Sequence, residues 1–530
     1  MSNPGDLDTT FGTGGIVLTD VPGTSVDRGN GVVIQSDGKI VVAGTADVNI
    51  SADSKFLVIR YNTDGSLDSS FGTGGIVTTS FTGNGTKGRA IAIDSNNRIV
   101  VVGITETNAN FAIVRYGSDG LTDASFGTGG QVITDLLPAS NIDNAYAVAI
   151  DSSDRIVVAG DVDLGGGKDF VIARYLENGN LDTTGFGSPN GYVMTDFGSG
   201  EDSAWSLIIR SDGTILAGGY AEVSGEYNFA MALYKTDGTL DTTFGGGDGK
   251  VETLFSSGDY GTTMAVQSDG KIILGGYATL SGANRSTIAR YTSDGILDTT
   301  FGTNSGYTPN TLGSQSLGYG LAVDATDKIV FGGNVVVSGS NDFLMARYTA
   351  NGVLDTSFGT NGSVATSVGT APTPSGTATS IVIQPSDGKI VAAGYATMSG
   401  GSEVVALLRY IGGGAGPSPP GPTPTPTPTP TPSPTLTSPW YLLSLNNNGV
   451  GVRKSTLFGA GGNGSGNQPG FIYNRYSAGN SGIGGQSTAV RRAKNRKAAF
   501  CGFTPCPTPQ HARIIQNERV ILKKNNGFFM

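Results

Sequence analysis

A short phrase, LDTTFG at residues 7–12, returns along the chain as LDSSFG, LTDASFG, LDTTGFG, LDTTFG, LDTTFG and LDTSFG. Its phenylalanine stands at Phe11, Phe71, Phe126, Phe186, Phe244, Phe301 and Phe358, so the spacings are 60, 55, 60, 58, 57 and 57 residues. Self-similarity at that period points to a repeat architecture. A second phrase, an apolar run ending in an aromatic, occurs as KFLVIRY, NFAIVRY, DFVIARY, NFAMALY, STIARY, DFLMARY and VVALLRY. It ends at Tyr61, Tyr116, Tyr175, Tyr234, Tyr291, Tyr348 and Tyr410, and seven starts with seven ends define seven units.

Each unit reads as four short strands: a run such as GIVLTD, an apolar run such as GVVIQ, then KIVVAG, then KFLVIRY. The second and third are joined by SDG, SNN, SSD or ATD, residue types suited to the positive φ of tight hairpins. Runs such as IVVAG lack polar alternation, as expected of strands buried on both faces. The 84 glycines among 530 residues exclude a helix-dominated chain. Four-stranded units arranged radially bury both faces of every sheet, so the expected fold is all-β, a seven-bladed β-propeller of four-stranded blades.

With its DGKI turn, ARY strand end and LDxxFG phrase recurring over residues 5–411, the chain resembles the delta-60 repeat family. The resemblance implies a propeller, common in large bacterial surface or secreted proteins, with no established chemistry. By analogy with propellers whose repeat is offset from the blade, the GVVIQ-type strand is placed innermost and the GIVLTD-type strand at the rim. Pro309, in the sixth copy of that first run, fits an edge strand, where no ladder hydrogen bond is lost. The rim strand of the last blade then comes from the N-terminus, residues 15–20 pairing with 404–410 and closing the ring.

The seven aspartates of the LDxxFG phrase, from Asp8 to Asp355, invite a calcium reading. Each unit offers one carboxylate followed by hydroxyls, so turn capping is the better account. Six strand-end arginines (Arg60, Arg115, Arg174, Arg290, Arg347 and Arg409), with Leu233 in the seventh place, are expected to pair with aspartates within or between blades. No nucleophile motif has its required context, and the chain's one histidine, His511, lies far from the repeats. No catalytic residue, metal site or cofactor is expected.

Recognition is expected where the units differ, on the long dissimilar loops that share the face opposite the DG turns. Counting back five from the residue ending each inner strand gives a ring of Asn30, Arg89, Tyr146, Trp205, Thr262, Tyr319 and Thr379. Mixed aromatic, cationic and hydroxyl groups at a channel mouth make this the candidate binding site.

Three segments follow from composition: the propeller at 1–411, a Gly/Pro/Thr-rich linker at 412–438, and a basic Gly/Asn-rich segment at 439–530. The net charge of −10 conceals a division, for the last segment holds twelve Lys/Arg against Glu518 alone, near +11, leaving about −21 elsewhere. Alternating Thr-Pro favours an extended, semi-rigid stalk. Arg491, Arg492, Lys494, Arg496 and Lys497 on a short helix are expected to grip an anionic partner. Cys501, Cys506 and His511 lack a fourth zinc ligand, so a disulfide or free thiols are expected. The Gly-rich run before RRAKNR resembles tails in structural proteins of large DNA viruses.

The start, MSNPGDLDTTFG, has neither a basic nor an apolar leader region, so no secretory signal is expected, and no transmembrane segment either. The leading functional expectation is a non-enzymatic structural, adhesion or display protein on a virion or cell surface. Its head would bind a glycan or protein surface and its tail would anchor it. An intracellular polyanion-binding scaffold and a glycan-active enzyme are the alternatives.

Overall fold

Apolar runs broken by Gly, Asp and Asn have no way to hide both faces alone, and the chain resolves this by repetition. The computed structural model describes residues 3–413 except 48–53, 82–84, 108, 138–141, 199 and 371–373. Further on it describes the strands Tyr441–Asn446, Gly449–Lys454, Ile514–Gln516, Arg519–Lys524 and Gly527–Phe529. The chain divides into two units, Met1–Gly421 and Pro422–Met530. In the second, Tyr441–Asn446 pairs with Gly449–Lys454, and Arg519–Lys524 pairs with both of the strands flanking it. Beyond Gly413, the expected linker lies outside the described residues.

The first unit is a seven-bladed propeller. Blade one runs outward as Val26–Ile34, Ile40–Asp47, Lys55–Tyr61 and Ile76–Thr79, all antiparallel, and five further blades repeat that order. Blade seven takes Ser375–Ile383, Ile390–Thr397 and Glu403–Tyr410 from the end of the array and its rim strand, Ile16–Thr19, from the beginning. The closing register pairs Ile16 with Leu408 and Thr19 with Val405. Pro309 ends a rim strand, Tyr307–Pro309, with a partner on one side only. No helix among the described residues is long and apolar enough to cross a membrane.

Seven hydrophobic clusters occupy the seven seams between blades. One of them joins Val42 and Leu57 of blade one to Val391 and Val405 of blade seven. Each third-strand tyrosine is buried, and most reach back to the preceding blade's rim. Tyr61 shares a 2.8 Å hydrogen bond with Thr19, and Tyr116 a 2.7 Å one with Thr79.

The strand-end arginines staple the opposite edge of each seam. Arg115, 1% exposed, donates Nε to Asp123 in its own blade at 2.8 Å and Nη1 to the Glu177 carbonyl of the next at 2.6 Å. Its guanidinium lies 4.7 Å from the centre of the Phe126 ring, so one side chain engages the aspartate and phenylalanine of its own phrase and the neighbouring turn. Arg174, Arg290, Arg347 and Arg409 repeat the arrangement. The aspartates also cap their turns as expected, Asp8 accepting from the backbone and hydroxyl of Thr10. Where Leu233 breaks the series, Arg210, just after the inner strand of the same blade, reaches the next turn instead, donating to the Ser293 carbonyl at 3.0 Å and lying over Phe244.

Burial alone would raise these carboxyls, but hydrogen bonds from Thr10 and Lys389, with the charge of Arg409, hold Asp8 down at about 2. The same balance lowers Asp68, Asp123, Asp298 and Asp355. Such groups contribute stability present above pH ~4 and lost as pH falls through their folded pKa values. Asp27 and Asp202, raised by burial to about 6 and about 7, act oppositely and weaken the fold as pH rises from ~4 toward those values. Thermal melts across pH should therefore show maximal stability near pH ~4–5, with the steeper loss on the acid side.

Deleting residues 1–20 should remove the rim of blade seven, buried Phe11 and the Asp8 partner of Arg409. A loss of about 5 kcal/mol or more is expected, since an orphaned buried charge alone costs ~3–5 kcal/mol. Circular dichroism melts should show the lower transition, and light scattering the aggregation of the newly exposed edge.

Candidate functional site

The registers place the DG turns and LDxxFG phrases at one end of the blades, since Ile40 pairs with Tyr61. The dissimilar loops stand at the other end, where Ala46 pairs with Lys55. The inner strands do not alternate cleanly between these ends. In all seven the register shifts across one residue, and the seven skipped residues are Asn30, Arg89, Tyr146, Trp205, Thr262, Tyr319 and Thr379. Each predicted ring residue is thus the extra residue of a β-bulge, which re-aims a side chain relative to the ladder.

The bulge also explains the glycine closing each KIVVAG phrase. A Cβ on Gly160 would stand 1.7 Å from the Asn144 carbonyl oxygen just before the bulge, and one on Gly394 would stand 1.8 Å from that of Thr377. No side chain fits there, so bulge and glycine form one device.

The structure divides the ring residues by what they touch. Asn30 donates to the Gly88 carbonyl at 2.7 Å, Thr262 to that of Gly318 at 2.8 Å, and Thr379 to that of Gly29 at 2.6 Å. These three tie one blade's bulge to the next inner strand. Tyr319 is half-buried, its hydroxyl raised by burial. The other three stack. The Arg89 guanidinium lies 4.6 Å from the Tyr146 ring centre, and Tyr146 lies 4.5 Å from Trp205 with planes 11° apart.

From Trp205 the aromatic surface continues through residues the ring count misses. Trp205 meets Tyr220 at 6.5 Å, and Tyr220 meets Tyr227 at 5.6 Å and Tyr260 at 5.0 Å. Tyr260 stacks on Tyr227 at 4.7 Å and on Tyr277 at 5.0 Å. All six rings are half-buried, and they occupy blades three to five on the loop side. Burial, reinforced by neighbouring tyrosines and Glu201, raises the Tyr260 hydroxyl to about 12, so the wall stays neutral at physiological pH. Tyr220, Tyr277 and Tyr395 stand at one place of the repeated phrase, where other units have Thr45, Ile104, Asp161 or Asn334. That one variable place in an otherwise apolar strand was the available signal.

Asp161 takes that place in blade three. It is fully buried, with Asn144 donating to one oxygen at 2.7 Å and Ser203 to the other at 2.6 Å. Burial raises its pKa. With both oxygens occupied, it ties blade three to blade four instead of facing solvent. Arg491, Arg492, Lys494, Arg496 and Lys497, and likewise Cys501, Cys506 and His511, lie outside the described residues.

A family model described as "Domain of unknown function (DUF5122) beta-propeller" matches residues 35–71, 95–126, 152–184, 210–244, 267–301, 325–358 and 386–410. These are the repeats that carry the resemblance to the delta-60 family. Among solved structures, the chain is similar to Sqt1 of Chaetomium thermophilum bound to the N-terminus of ribosomal protein L10, at 11% identity and a TM-score of 0.43. That match covers 73% of this chain and 98% of the other. It is also similar to polysaccharide lyase Uly1, at 12% identity, 72% and 90% coverage and a TM-score of 0.37. A third similarity is to Trypanosoma rangeli sialidase in complex with sialic acid, at 12% identity, 78% and 59% coverage and a TM-score of 0.36. No curated protein matches the sequence, and none of these matches bears on the viral resemblance of the tail.

Thr262→Val and Thr379→Val should each lower stability by about 1 kcal/mol, the usual net worth of one hydrogen bond, read from denaturant midpoints. Tyr277→Phe, which keeps its ring, should leave the midpoint within about 0.5 kcal/mol.

Proposed function

We infer that this chain, whose seven-unit head belongs to the DUF5122 beta-propeller family, is a non-enzymatic binding and display protein. Its head takes carbohydrate at the loop face of blades three to five. The observation that carries this reading is the continuous wall of Tyr146, Trp205, Tyr220, Tyr227, Tyr260 and Tyr277. Sugar rings present C–H patches that pack on aromatic planes, while their hydroxyls bond the phenolic and amide groups around them. The uneven distribution matters, because a residue present in every blade serves the seams, whereas recognition breaks the symmetry.

The absence of turnover is part of the proposal. The basic run at 491–497 supplies the anchor in this reading, since five cations in seven residues favour an anionic surface.

The test is a glycan and cell-surface binding screen of the full chain, repeated with Trp205→Ala and Tyr260→Ala. Either substitution should weaken binding about tenfold, the equivalent of ~1.4 kcal/mol for a lost stacking plane. Binding that survives both, or that maps to the DG-turn face, overturns the site. Cleavage of a bound glycan overturns the non-enzymatic reading.

A further inference from the structure

Where the third strand of one blade, the end of its rim strand and the start of the next inner strand converge, seven equivalent trios of residues can be compared. Five of them are Lys55, Ser80 and Thr86; Ser286, Asn310 and Ser316; Asn228, Leu254 and Asp259; Asp342, Ser367 and Gly376; and Val404, Asp20 and Asp27. The seam from blade two to blade three has Asn110, Asp135 and Asp143. Only the seam from blade three to blade four has three carboxylates, Asp169, Asp196 and Asp202.

In the other trios hydrogen bonds meet part of the demand, while Thr86 Oγ1, Asn228 Oδ1, Ser286 Oγ and Asp342 Oδ1 are buried without one. At the fifth seam, Ser316 accepts the Ser286 amide at 2.9 Å and Asn310 donates its amide to the Ser286 carbonyl at 2.7 Å. Asp27 accepts the Val21 amide on one oxygen and the Thr24 hydroxyl on the other, and Asp259 does the same with Phe255 and Ser256. Asp202 accepts the corresponding Phe197 amide on Oδ2 at 2.7 Å, but no hydroxyl arrives at Oδ1. Asp202 is fully buried, and Oδ1 has no hydrogen bond of good geometry, although the Glu222 amide helps to hold the carboxyl down. Two more acids stand beside it, with one oxygen of each of the three carboxylates within 4.8 Å of the others.

We propose that Asp169, Asp196 and Asp202 hold a calcium ion that locks the seam between blades three and four. The sequence reading expects no metal site, because each LDxxFG phrase offers one aspartate and the chain has one histidine and two cysteines; it does not bring Asp169, Asp196 and Asp202 together, which only the fold does. Oxygens sharing one calcium at about 2.3–2.6 Å lie no more than ~5 Å apart, the spread observed. Hard carboxylate oxygens without nitrogen or sulfur ligands select a hard cation, and a half-buried, loosely framed trio suits calcium better than the rigid octahedron of magnesium. Burial, then repulsion from Asp169 and Asp196, pushes Asp202 upward, the strain a cation would relieve. Asp202 starts the strand that carries Trp205, so the ion also steadies the aromatic wall from behind.

The experiment is calorimetric titration of the full chain with calcium chloride after chelator treatment, with thermal melts alongside. One ion per chain is expected at this site, with a dissociation constant of order 10⁻⁴–10⁻³ M, the range of extracellular calcium modules. The melting temperature should rise by several degrees at ~10 mM calcium, and less with magnesium. Asp202→Asn risks the cap on Phe197, so Asp169→Asn and Asp196→Asn are the informative variants. Each should abolish the calcium response while melting no lower than the chelated wild type, since each relieves like-charge repulsion. No calcium binding by the wild type, an equal response to magnesium, or a calcium response unchanged in the Asp169→Asn/Asp196→Asn double variant overturns the proposal.

Discussion

Every blade of this protein is apolar on both faces, and that forces the ring. Strands such as Ile40–Asp47 are buried along their whole length, so a blade left without a neighbour on either side would expose a full hydrophobic surface. The seven clusters sit between blades and not within them, which makes each blade's stability a property of its two seams. A linear array would leave two such faces open. Borrowing Ile16–Thr19 from the N-terminus for the last blade ties first and last units covalently, so the seam between blades seven and one is built like the rest.

The polar apparatus follows the same logic. An arginine on six of the seven third strands is desolvated by the packing, and it is tolerated because aspartate, next-blade carbonyl and phenylalanine ring surround it together. Blade four shows that the requirement is for a cation at the seam and not for one at a fixed position. Leu233 removes the usual donor, and Arg210 delivers a guanidinium to the same next-blade turn from the end of the blade's inner strand. On the opposite side of the ring, bulges give each inner strand one residue outside the ladder. In three blades that residue is used for another seam bond. In blades two to four it is released to stack, and the wall from Tyr146 to Tyr277 begins there. Seam bonding and aromatic stacking thus share one backbone device and differ only in the side chain it presents.

Repeat phrases at fixed spacing were enough to read seven blades, four strands each, the offset between repeat and blade, and closure by the N-terminus, because these depend on local periodicity and on edges that must be covered. The strand-end Arg60 and Asp68 were legible as partners for the same reason, eight residues apart at one blade end. The bulges were not, since counting by twos assumes an unbroken ladder and the extra residue at Asn30 or Trp205 leaves no mark but an unexplained glycine across the hairpin.

What the sequence by itself determined is the set of elements and their order, for hydrogen bonding along a strand and apolar coverage between sheets are written in residue patterns within one unit. What only the tertiary structure decided is which side chains from different units meet. Tyr146 stacks on Trp205 across a seam, Tyr227 meets Tyr260, and Asp169, Asp196 and Asp202 converge from two blades. Those encounters depend on how a bulge turns a side chain and how closely neighbouring blades approach, distances set by packing between sheets and therefore absent from any single repeat.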